Sequence, residues 1–104
     1  MKDFIIILVT ASSEEEAKKI AQVLVEKRLA ACVNLIKDIR SIFRWKGKLS
    51  DENEILLIIK TRKKLYKNVE EEVKSLHSYE VPEIIALPII SGSKDYLYWV
   101  DSET

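Results

Sequence analysis

The chain has a single histidine, so any chemistry that needs an imidazole must use His77. It stands where a helical pattern ends, directly before Ser78-Tyr79-Glu80-Val81-Pro82. Two readings are open. An imidazolium there would face the negative end of the helix dipole and cap free carbonyls. Alternatively, His77 and Glu80, on a turn beside an apolar sheet, offer ligands or hydrogen bonds to a metal ion or small molecule. Lys60 ends an otherwise apolar run, where it either snorkels to a sheet edge or places its charge in a cleft between subunits. Glu54 raises the same question at the other end of that run. Trp45, beside Lys46-Gly47-Lys48, is interface packing or a pocket wall, and a large aromatic at a hairpin tip favours packing. Cys32 lies in an apolar context without a second cysteine or a zinc-type spacing, which is the setting of an inert core residue. No nucleophile, base and orienting acid recur in a recognisable arrangement, and Gly47 and Gly92 alone cannot build a phosphate-cradling loop. Catalysis is therefore not expected.

The elements that must position these residues are bounded by composition. The 104 residues, 47% of them hydrophobic, suit one domain spanning 1–104. Seventeen basic and seventeen acidic side chains cancel, leaving no field to attract nucleic acid or an anionic membrane. Met1-Lys2-Asp3 leads into six apolar residues, Phe4 to Val9, too short a run for a signal core or a membrane span. A lone cysteine cannot close an intrachain disulfide, so a cytoplasmic location is expected.

Phe4 to Val9 reads as a central strand covered on both faces. Ser12 and Ser13 are candidate helix caps, each with a glutamate three residues on, and Ala17, Ile20, Ala21, Leu24 and Val25 share one helical face. From Ala31 to Arg62 runs a long hairpin about Lys46-Gly47-Lys48, its first arm bent near Lys37-Asp38. A second helix opens at Arg62-Lys63-Lys64, buries Leu65, Val69, Val73 and Leu76, and ends near His77. Pro82 starts a last strand over 83–90, which Pro88 confines to an edge, and Ser93 or Asp95 starts a terminal helix.

The order β-α-β-β-α-β plus a helix predicts an α+β, ferredoxin-like sandwich with two helices on one sheet face. Residues 4–9 and 55–59 are apolar on both parities, however. The second face must then meet something else, and a closed homo-oligomer is expected.

The residues also resemble a known family, the CutA divalent-cation-tolerance proteins. The resemblance rests on Glu26-Lys27-Arg28-Leu29-Ala30-Ala31-Cys32-Val33-Asn34, Trp45-Lys46-Gly47-Lys48, Lys60-Thr61, His77-Ser78-Tyr79-Glu80-Val81-Pro82-Glu83-Ile84-Ile85 and Asp95-Tyr96-Leu97-Tyr98-Trp99, in that order. It implies a PII-like homotrimer built through sheet edges and the long hairpin, linked to copper and other divalent cations. His77 matches the histidine of the family's His-Pro-Tyr motif, which implies a role as metal ligand. Ser78 replaces the motif's proline, Val9 a cysteine found in some members and Leu76 a second histidine, so the implied Cu(II) or other divalent-cation site is weak. The family's recurrent positions, here Trp45, Lys60, His77, Tyr79 and Glu80, imply a pocket between subunits. A second expectation is a PII-like sensor or scaffold that binds a small anionic ligand or a protein partner, with Lys60 as counter-charge.

Overall fold

A computed structural model describes residues 3–104; Met1 and Lys2, which entered the reading of the amino terminus, lie outside the described residues. The first strand, β1 (Phe4–Ala11), is central because every residue of its Phe-Ile-Ile-Ile-Leu-Val run can be buried. It pairs antiparallel with β3 (Lys48–Arg62) on one side and β4 (Ile84–Pro88) on the other. With β2 (Cys32–Trp45) outside β3, the sheet order is β2-β3-β1-β4, and all pairs are antiparallel. This is the α+β ferredoxin-like arrangement expected, with β2 and β4 at the edges.

Helix α1 (Glu14–Glu26) starts where Ser13 Oγ accepts the Glu16 N–H at 3.1 Å. It buries Ala17, Ile20, Ala21 and Leu24, but Val25 stays exposed: it lies about 100° around the helix from Leu24, beyond the stripe that meets the sheet. A single 3-10 turn, Lys63–Leu65, precedes α2 (Tyr66–Leu76), which contributes Val69 and Val73. These side chains close over Ile5, Ile7, Val9, Leu57 and Ile59 to form the core. Each such aliphatic side chain contributes about 1.5–3 kcal/mol by leaving water.

The other sheet face is different. Ile6, Leu8, Leu56 and Ile58 are only half-buried there, while Ile36, Ile85 and Leu87 are exposed. The terminal helix α3 (Lys94–Glu103), capped by Ser93, covers only one end of this face. It is pinned by Arg62, whose guanidinium donates to Thr104 Oγ1 and to the Thr104 carbonyl at 2.9 and 2.7 Å.

The hairpin outgrows the core. Its register shifts between Ile36 and Ile39, where Asp38 takes φ 59°, so the bend falls at the expected place. Its tip is a two-residue turn, Lys46-Gly47, with φ 50° and 78°, the doubly left-handed geometry that matches strand twist. Lys48 already pairs with Trp45 as the first residue of β3. The chain is accordingly elongated, 44 Å by 25 by 23 Å. At the far edge, β4 is shorter than 83–90, because its register on β1 runs only from Ile5 to Val9. No helix among the described residues is long and apolar enough to cross a membrane.

Candidate functional site

The segment after α2 leaves the helix at His77, whose backbone is extended (φ −84°, ψ 141°), and folds back against the hairpin. Its imidazole is fully buried. Nε2 lies 2.7 Å from the Thr10 carbonyl of β1, and Nδ1 accepts the Tyr79 N–H at 3.0 Å. A carbonyl can only accept, so Nε2 carries the proton and the ring is the neutral tautomer. The carbonyl that His77 caps thus belongs to β1, not to the helix end.

Glu16 is the glutamate three residues after the Ser13 cap, placed to close a capping box on α1. Instead its carboxylate crosses to the His77 loop, accepting the Ser78 N–H and the Ser78 hydroxyl at 3.1 Å each. Its Oε2 stands 3.8 Å from His77 Nδ1. The loop is therefore held from both ends, by β1 through imidazole and by α1 through carboxylate.

Tyr79 then points at the hairpin. Its hydroxyl donates to Glu54 Oε2 at 2.5 Å, and Glu54 is only 3% exposed. Burial, then the adjacent Glu54 carboxylate, push the Tyr79 phenol well above its ordinary value of 10.0. Around this pair lies a groove. One part, about 460 Å³, is lined by Phe43, Trp45, Glu52, Tyr79, Glu80 and Val81 among others. The adjoining part, about 490 Å³, shares Phe43, Trp45, Tyr79 and Val81 and adds Glu54, Pro82 and Glu83.

Trp45, Tyr79 and Glu80 thus meet within one chain, and Trp45 serves as a wall of the groove. Lys46 crosses the rim, 3.9 Å from Glu80 and 5.7 Å from the Trp45 ring centroid. His77 sits behind the groove as a support for Tyr79. Lys60 is elsewhere, six residues along β3 from Glu54, roughly 20 Å at about 3.3 Å per residue. Its ammonium donates to Asn34 Oδ1 and, at 3.4 Å, to the Ile58 carbonyl. Cys32 lies beside that pair, half-exposed rather than in the core, its thiol 4.0 Å from Asn34 Oδ1. Burial and the Cys32 neighbour raise the Tyr96 phenol above its ordinary value.

The residue that sequence reasoning undervalued is Glu54. Its one signal was an acid at the end of an apolar run, and its partner Tyr79 lies 25 residues away. As a metal centre the site falls short. Among the described residues no group of three or more His, Cys, Asp or Glu converges, and both nitrogens of His77 are engaged.

The family model described as CutA1 divalent ion tolerance protein matches residues 5–103. The divalent-cation tolerance protein CutA of Thermus thermophilus is 48% identical over 99 residues, covering 95% of this chain and 96% of that protein. The mouse protein CutA is 52% identical over 96 residues, 92% of this chain, which spans about half (54%) of that longer relative. Among solved structures, CutA1 from Oryza sativa superimposes with a TM-score of 0.96 at 43% identity, over 99% of this chain and 94% of that one. The Thermus thermophilus structure gives 0.95 at 46% identity, over 97% and 98%. On fold, sequence and coverage together, the chain belongs to the CutA1 divalent ion tolerance family.

Proposed function

We propose that the chain is a non-catalytic, cytoplasmic homotrimer of the tolerance family that binds divalent cations such as Cu(II) modestly. The observation that carries the modest affinity is the occupancy of His77. To offer a lone pair, Nδ1 must release the Tyr79 N–H, so a cation at this ring competes with the bond that holds the loop. Among the described residues, the Glu16 carboxylate, 3.8 Å from Nδ1, is the further donor beside it. Two donors are short of the three or four protein ligands of a tight site. The half-buried second sheet face supports self-assembly, because a surface of this kind is costly to leave in water. The free thiol supports a reducing compartment.

The test is a competitive Cu(II) titration of the protein beside His77→Ala and Glu16→Gln, with Zn(II) for comparison and a chelator to remove nonspecific binding. Saturable binding near one ion per subunit, lost in His77→Ala and weakened in Glu16→Gln, is expected. Absent binding, or binding identical in all three proteins, would overturn the metal reading. The sensor reading is favoured by a separate observation, the groove itself. Four glutamates line it and Lys60 does not, so its charge suits a cationic ligand rather than the anionic one first expected.

A further inference from the structure

The groove between the hairpin and the His77 loop has a chemistry that a metal contact at His77 leaves unused. It combines three aromatic side chains, Phe43, Trp45 and Tyr79, with the carboxylates of Glu52, Glu54, Glu80 and Glu83. Glu54 is the informative one. It is 3% exposed, yet among the described residues no lysine or arginine pairs with it, and Tyr79 is its one hydrogen-bond donor. That donor is on Oε2. Glu54 itself lines the groove.

A carboxylate so far removed from water is costly without a counter-cation. A hard divalent ion would ask for several converging oxygens, and no such group of donors is assembled among the described residues. An ammonium asks for less: one carboxylate and the faces of aromatic rings. At the rim, the Lys46 ammonium stands 5.7 Å from the Trp45 ring centroid. That lysine is held at the rim by Glu80, 3.9 Å away, and leaves Glu54 unpaired. The volume, about 490 Å³ beside Glu54, falls in the range of small-molecule sites.

We infer that this groove binds a small organic cation, a molecule carrying a methylated or primary ammonium group. The ammonium lies against Glu54 Oε1, and Trp45, Phe43 and Tyr79 supply the surrounding ring faces. Tyr79 is a positioning residue as well as a wall: its hydroxyl fixes Glu54, and its own backbone is fixed by His77. The site does not depend on metal binding at His77, so either reading can fail without the other.

The probes are choline and its neutral isostere 3,3-dimethylbutan-1-ol, titrated into the assembled protein while the indole N–H resonances of Trp45 and Trp99 are followed. Choline should move the Trp45 resonance saturably and leave Trp99 in place, with the alcohol at least about tenfold weaker. Glu54→Gln should weaken choline about tenfold or more. Should that variant fail to fold, Trp45→Leu at a half-exposed position, read by calorimetry, should weaken choline by a similar factor. A Trp45 resonance that does not respond, an alcohol that binds as well as choline, or variants that bind like the parent protein would overturn the inference. A basic side chain of a second copy seated on Glu54 would show itself as the first of these.

Discussion

Strand β3 passes through two environments. From Ile55 to Thr61 its alternate side chains are sealed beneath α1 and α2, with Leu57 and Ile59 wholly inaccessible. From Lys48 to Asn53 the same strand, paired with the distal arm of β2, lies beyond the helices, and Leu49 is 73% and Ile42 67% exposed. Both halves are regular ladder. They differ in what their side chains do: the inner half pays the conformational cost of folding, whereas the outer half presents apolar surface that this chain alone does not use.

The largest effect should therefore come from the inner half. Leu57→Ala leaves a cavity at a fully buried position and is expected to cost about 2–5 kcal/mol in urea unfolding. A loss below about 1 kcal/mol would mean that the inner half is not the source of stability. In the outer half, the double substitution Ile42→Asp, Leu49→Asp should leave the helical circular dichroism intact while the light-scattering mass falls from that of the proposed trimer toward one chain, 12.0 kDa. An unchanged mass would break the comparison by showing that the outer half has no role in assembly.

The sequence made the inner half legible because its information is local. Ser13 and Ser93 cap the helices that begin directly after them, each through the N–H three residues on, Pro88 declares an edge, and the 3.6-residue period of α1 finds Ala17, Ile20, Ala21 and Leu24. The bend at Asp38 and the turn at Gly47 were equally local. The contacts that build the groove were not legible, because they are long-range pairs. Glu16 finds Ser78 across 62 residues and His77 finds Thr10 across 67, and no periodicity relates such partners. His77 and Tyr79 were located through the resemblance to a family. Their chemistry, a neutral ring that supports a tyrosine that in turn supports a buried acid, required the fold.

Where the two halves join, Tyr79 offers a smaller effect. Tyr79→Phe removes the 2.5 Å bond to Glu54, with an expected cost of about 1–3 kcal/mol for a hydrogen bond to a carboxylate. The pH dependence sharpens this. The folded protein holds the Tyr79 phenol above its ordinary 10.0, so in that range the native state binds more protons than the unfolded one. The stability contributed is fully present below the ordinary value and declines as pH rises through it. Urea unfolding compared at about pH 8 and about pH 11 should show a shallower alkaline loss in Tyr79→Phe. The slope should not vanish, since burial also raises Tyr66 and Tyr96. An alkaline loss equal to that of the parent would show that Tyr79 is not held protonated by this site.

The smallest effect lies at the hairpin tip. Gly47 has φ 78°, where an L side chain is strained, but a Cβ built there meets nothing within 4 Å. The cost of Gly47→Ala is therefore conformational alone, about 1 kcal/mol, or a fall in Tm of roughly 4–8 °C for a chain near this size. Lys46 beside it already tolerates φ 50°, so the turn has a precedent for a side chain in this region. A loss near 1 kcal/mol fits a tip that is ordered but unpacked. A loss of several kcal/mol would mean that the added methyl meets a neighbouring copy, and the outer half of the hairpin would then have to be counted as core.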